Sequence, residues 1–351
     1  MLYLRWFTVM LCCLGLWACA ETPSADAPYQ PGFFYLSAGP DPTLTIMDTP
    51  ASTPRQQIAL NPPADCSLYA LRPAPVGRWI VVEWECPFGP AVELFDSASG
   101  ESHFALADPS IDSRLMGWLP DGRSLFVKIG SLSMPQFLKV DAATSHTTEL
   151  SLSSFTYDLI SSADGKKTLF SLSKGTGFGS ETWLAGPDGQ NPSQLAVDAQ
   201  NIITLAQYSP DGSQIAFIKL TDKQPVSRIG ELWVMDSEGF NMRKLAAADT
   251  SMGITPAWSP NGDRIAFAGK TADQAFANLA VYDLGKEILS SYPAAPTTQL
   301  AWSPDGTLLA FSTGSGSAND SADGREVWFY EVASGQAKKV AAKACCAGWI
   351  R

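Results

Sequence analysis

Short apolar runs of three to five residues recur along the chain, broken by Pro, Gly, Asp and Ser, and almost nowhere does an apolar spacing of three and four persist. Such runs predict β-strands, and the breakers between them predict tight turns. The clearest copy reads Tyr208-Ser-Pro-Asp-Gly212, Ile215-Ala-Phe217, Leu232-Trp-Val-Met-Asp236 and Arg243-Lys-Leu245. It predicts four strands. Two further copies contain Trp258 with Ile265-Ala-Phe267 and Leu279-Ala-Val-Tyr-Asp283, and Trp302 with Leu309-Ala-Phe311 and Val327-Trp-Phe-Tyr-Glu331. The copy at Trp118 is weaker, and the copies turning at Gly77 and Gly165 lack the aromatic.

The turn glycines at 77, 122, 165, 212, 262 and 306 lie 45, 43, 47, 50 and 44 residues apart. That period is the length of a four-stranded propeller blade, a unit that buries its faces only against its neighbours. At the beginning, Phe33–Leu36, Leu44–Asp48 and Gln57–Leu60 match strands two, three and four with no first strand before them. Near the end, Trp349 follows Trp302 by 47 residues and matches a first strand. The final strand is therefore expected to complete the N-terminal blade, giving an all-β, seven-bladed β-propeller over residues 33–351 with no unpaired edge at the seam.

The aromatic before Ser-Pro-Asp-Gly, the Ile-Ala-Phe strand and the Leu-Trp-x-x-Asp strand resemble the TolB-like (WD40-like) propeller repeats, clearly over 203–340 and less so over 66–195. The resemblance implies a fold and not a chemistry. TolB itself pairs a six-bladed propeller with an N-terminal α/β domain, for which there is no room before residue 33, so its partners are not carried over.

Residues 1–18 read as a signal peptide, with Arg5 followed by the apolar run Trp6–Ala18. Leu16-Trp17-Ala18-Cys19 resembles a bacterial lipobox, so Cys19 is the expected lipidation site, with ordinary signal cleavage after Ala18-Cys19-Ala20 or an uncleaved anchor as the alternatives. The Pro-rich polar stretch within 19–32 reads as a tether. Together these point to a membrane-anchored lipoprotein of the bacterial cell envelope, touching the membrane through its lipid only. Cys66, Cys86, Cys345 and Cys346 then stand in an oxidising compartment. Cys66 and Cys86 flank one hairpin and are candidates for a disulfide, although three pairings of the four remain open.

The net charge of -11 argues against a nucleic-acid partner. The Asp of each Pro-Asp-Gly is expected to serve its turn, and Asp48, Asp96, Asp141, Asp236, Asp283 and Glu331 to cap the turn into strand four. His103 and His146 are the only histidines, and both fall on outer strands. A His-based catalytic or metal site is not expected, and no cofactor or metal is assigned. One carboxylate pair remains: Glu83 and Glu85 lie two apart on one strand and share a face.

The loops between strands two and three vary most in length, and binding surfaces concentrate on such loops over a rigid frame. Lys174, Phe178, Arg228, Lys270, Phe276 and Asp320 are the candidate contacts. The expected function is that of a monomeric, non-catalytic scaffold binding a protein or a cell-wall polymer on this face. The alternative is a hydrolase or lyase acting on saccharide or peptide through Glu83 and Glu85.

Overall fold

The computed structural model describes residues 30–37, 42–106, 108, 111–130, 134–173, 179–198, 201–220, 229–251, 253–270, 277–294, 296, 300–314 and 325–351. The strands pair antiparallel in seven sets of four. Blade 2 runs Ser67–Pro73, Trp79–Cys86, Gly89–Asp96 and Ser102–Phe104, and blade 3 Ser113–Trp118, Ser124–Ile129, Gln136–Asp141 and Thr147–Glu149. Blade 4 begins at Thr156–Ser161, blade 5 at Ile202–Tyr208, blade 6 at Ala257–Trp258 and blade 7 at Ala301–Trp302. Blades 5 and 6 join edge to edge where Ala248 pairs with Gly269, which makes one continuous sheet of the two.

Blade 1 takes its inner strand, Ala344–Ile350, from the far end of the sequence and the other three from Gly32–Ser37, Thr43–Met47 and Pro54–Ala59. Phe33 pairs with Trp349 and Leu36 with Cys345 across this seam, so the ring closes through main-chain hydrogen bonds. The expected circular closure is observed. The seam is fully packed: every residue of Ala344–Ile350 is buried.

The second strand of each blade carries the core. Ile215-Ala-Phe217, Ile265-Ala-Phe267 and Leu309-Ala-Phe311 are each 0% exposed, because both faces of a blade are covered by its neighbours. Continuous apolar runs rather than alternating ones follow from that two-sided burial.

Because adjacent strands run antiparallel, the turns between strands one and two and between strands three and four lie at one end of every blade, here the turn face. The loops between strands two and three, and the links between blades, lie at the other, the loop face. On the turn face successive Pro-Asp-Gly turns interlock. Gly122 has φ +63°, and a Cβ there would stand 1.9 Å from the Val76 carbonyl oxygen, so no other residue fits. Gly165 likewise abuts Pro120, and Gly306 abuts Pro260.

Cys66 and Cys86 are joined by a disulfide, with Cα atoms 4.2 Å apart. Ser67 pairs with Glu85, so the two cysteines extend the same antiparallel register by one position.

Candidate functional site

The inner strands surround a central cavity of about 780 Å3, into which Arg72, Glu83, Arg114, Asp158 and Arg351 reach among the inner-strand tryptophans. The tryptophans of the repeat have a definite task. Trp118 Nε1 donates to the carbonyl of Arg72 at 3.1 Å, Trp258 to that of Gln207 at 3.0 Å and Trp302 to that of Ala257 at 2.9 Å. Each acceptor lies in the preceding blade. The aromatic is thus a stitch between blades rather than a ligand contact.

The seam departs from this rule. Trp349 Nε1 is buried with no partner, and Arg351 Nη2 instead donates to the carbonyl of Trp302 at 2.8 Å.

Asp158 sits on the inner strand of blade 4 and accepts from the backbone N–H of Ala206, in blade 5, at 3.1 Å. Burial pushes its carboxyl up to about 6, against the backbone hydrogen bonds that favour the charged form. Its bond holds an irregular point in the ladder, where the register shifts between Thr204 and Gln207 and Leu205 takes φ +53°. The carboxylate stabilises a strained bulge, and this task explains its position.

Glu83 and Glu85 do lie on one face of their strand, which looks onto the cleft between blades 2 and 3. They are not an equivalent pair. Glu83 is buried and lies 3.4 Å from Arg72 on the adjacent strand of the same blade. Glu85 is half exposed and reaches Arg114 of blade 3 at 3.8 Å. Each carboxylate therefore has its own guanidinium, and each ion pair ties two strands together.

The turn aspartates behave as their positions require. Asp211 Oδ1 accepts from the Ser209 hydroxyl at 2.6 Å and from the Ser213 backbone N–H at 3.1 Å, and these bonds hold its carboxyl below the usual range. Asp305 repeats this with Ser303 and Thr307. Where the turn carries Asn261, Asp263 accepts from the Ser259 hydroxyl instead. At the ends of third strands, Asp96, Asp141, Asp236 and Asp283 accept from N–H groups of the following turns. His103 lies on an outer strand, edge-on to Trp79 at 5.7 Å.

Of the expected loop contacts, Lys270 is described. Its ammonium lies 3.4 Å from Asp249, which is 4% exposed, so it bridges blades 5 and 6 beside their shared edge. Lys174, Phe178, Arg228, Phe276 and Asp320 lie outside the described residues, as does Cys19. Among the described residues no group of three or more His, Cys, Asp and Glu side chains is gathered closely enough to hold a metal ion.

The loop face of blades 2 to 4 shows something the sequence did not single out. Phe88 (49% exposed), Ile111 (37%) and Met134 (80%) all stand at this end, with Tyr69 and Phe155 exposed at the starts of the inner strands of blades 2 and 4. Asp112 connects the first three. Its carbonyl accepts from the Gly130 N–H at 2.9 Å, and its side chain packs so closely on Gly89 that a Cβ there would lie 3.0 Å away. The exposed Arg114–Glu85 pair flanks them. The result is an apolar centre beside a charged rim, the composition of a protein-binding patch.

Residues 180–344 match the family of the TolB β-propeller domain. That segment, a little under half of the chain, is similar to the TolB-type β-propeller. Among solved structures, TolB from Acinetobacter baumannii is similar with a TM-score of 0.55 at 15% identity, over 91% of this chain and 82% of that one. An oligogalacturonate lyase in complex with manganese is similar with a TM-score of 0.61 at 15% identity, over 90% and 86%. A puromycin-hydrolyzing peptidase from Mycobacterium tuberculosis gives 0.59 at 14%, over 89% of this chain and 53% of that one. These likenesses establish the propeller, which binding proteins and enzymes share. No curated protein matches the sequence.

Proposed function

We propose that this protein is a cell-envelope lipoprotein, anchored through Cys19 and a tether over 19–32, whose propeller binds a partner protein on its loop face without turnover. The observation that carries this reading is the set of exposed apolar side chains around Asp112: Phe88, Ile111 and Met134, flanked by Arg114 and Glu85. Ile111 and Met134 stand with the aromatic Phe88 at the centre of the patch, and an apolar centre of that kind favours a protein surface over a cell-wall polymer, whose polar groups would call for hydrogen-bonding partners throughout. The fit is to a segment that presents apolar side chains to the centre and charges of both signs to the rim.

The competing reading, hydrolysis or elimination through Glu83 and Glu85, is disfavoured by their pairing with two different arginines. A matched acid and base require environments that separate their roles on either side of a substrate. Here both carboxylates are engaged in tying strands.

The test is comparative capture from cells. The lipidated protein is crosslinked in place and purified beside a Phe88→Ser, Met134→Ser double variant and a Glu83→Gln, Glu85→Gln double variant. One stoichiometric protein, lost with the first variant and retained with the second, is the expected result. Recovery of saccharide or peptide fragments that depends on the glutamates would reverse the assignment.

A further inference from the structure

Cys345 and Cys346 are adjacent in sequence on the strand that closes the ring, and both are buried. Their sulfurs stand 2.6 Å apart. Side chains of successive residues in a regular strand point to opposite faces, so two neighbouring sulfurs meet only where the strand departs from the pleat. It does so here: Leu36 pairs with Cys345 and Phe34 with Gly348, leaving Cys346 in a bulge with φ +60°. Cys346 occupies the place in this strand that Leu205 occupies in blade 5, three residues before the aromatic, and Leu205 has φ +53°. The repeat supplies the bulge, and the cysteines occupy it. The backbone of Cys346 is fixed further by donation of its N–H to the Ser312 hydroxyl of blade 7 at 3.1 Å.

We propose that Cys345 and Cys346 are a modification site, joined to each other as a vicinal disulfide in the protein as it folds in an oxidising compartment. The only other cysteines among the described residues, Cys66 and Cys86, are already bonded to each other, and they line the same apolar cluster. The chemistry is thiol–disulfide exchange with a disulfide oxidant. The Cys345 thiolate attacks one sulfur of the oxidant and expels a thiol; the Cys346 thiolate then displaces the second thiol from the mixed disulfide. Two electrons pass to the oxidant, whose sulfur–sulfur bond becomes two thiols that take up the two cysteine protons. Hydrogen bonding from Cys346, with the charge of Arg325 nearby, holds the Cys345 thiol below its usual value, while the Cys346 thiol is pushed up.

Burial sets the order of events. An oxidant reaches this pair before the last strand docks against Gly32–Ser37, and the closed ring then shields the bond. Adjacent residues have Cα atoms about 3.8 Å apart, inside the separation usual for disulfides, so the bond is more reducible than one between facing strands. Its closed loop is minimal, so it is not a staple in the chain-entropy sense.

The experiment is a peptide map of the full-length protein, taken from cells into denaturant and an alkylating agent without reductant. Trypsin cuts after Lys343 and releases Ala344–Arg351. The expected peptide is unalkylated and two hydrogens lighter than its dithiol form, becoming doubly alkylated only after reduction. Cys345→Ser should expose a single alkylatable thiol at Cys346. A doubly alkylated wild-type peptide without reductant, or one crosslinked to Cys66 or Cys86, would overturn the proposal. The Cys66–Cys86 pair is the internal control, because alkylation of all four would show a reducing compartment and overturn the oxidising setting as well.

Discussion

Phe33 lies opposite Trp349 with ring centroids 5.2 Å apart, joining the first strand of the described chain to the last. This contact sits in the seam, where closure rests on residues more than three hundred positions apart. Trp349 is 7% exposed, and Gly348 leaves room for Phe34, whose ring would be 2.6 Å from a Cβ at that position. Trp349→Ala should cost about 3–5 kcal/mol in urea unfolding. Gly348→Ala should also destabilise, since a buried ring has no room to retreat. Wild-type midpoints in both would show that the ring does not depend on this strand.

The tryptophans of the repeat are not equivalent, and one substitution separates them. Trp302→Phe removes an inter-blade hydrogen bond and leaves the Ala257 carbonyl without that donor, so it should cost about 1 kcal/mol more than Trp349→Phe, which removes a donor that has no partner. Equal losses by chemical denaturation would contradict the stitching role.

Asp158 gives a pH dependence of defined sign. Its folded carboxyl titrates near 6, above the unfolded value of about 3.9, so the folded state holds the proton more tightly. Its contribution is fully present below about pH 4, is lost as pH rises towards 6 and is absent above, amounting to roughly 3 kcal/mol. Asp158→Asn keeps an oxygen to accept from Ala206 and removes the titration. The variant should equal or exceed wild type in stability at pH 7, and the difference between them should shrink towards pH 4. A loss of the same size at every pH would mean that the charge is not what matters there.

The turn aspartates should prove structural. Asp305→Ala removes bonds to the Ser303 hydroxyl and to the Thr307 backbone, and should lower stability by about 1 kcal/mol while leaving partner capture unchanged. Loss of capture at native stability would assign the turn face a binding role.

Much of the frame was legible in the chain because it is local and repeated. The Tyr208–Gly212 and Ile215–Phe217 pattern specifies a turn and a doubly buried strand, and the spacing from Trp302 to Trp349 was enough to place the closing strand. Pairings across blades were not legible. Nothing local to Glu85 says that Arg114 will reach it, since that contact depends on how blade 3 sits on blade 2. The patch around Asp112 was not legible for a related reason: the exposure of Phe88, Ile111 and Met134 is decided by loop paths and not by the residues themselves. A regular strand would place Cys345 and Cys346 on opposite faces, and the bulge at Cys346 that brings them together is not legible from the two residues alone.

Site-specific photocrosslinking in living cells tests the binding face most directly. A photoreactive residue is placed singly at Phe88, at Met134 and, on the turn face, at the exposed Phe240. The account predicts one protein adduct from positions 88 and 134 and none of that mass from 240. The same adduct from position 240, or none from 88 and 134 in protein that is folded and lipidated, would contradict it.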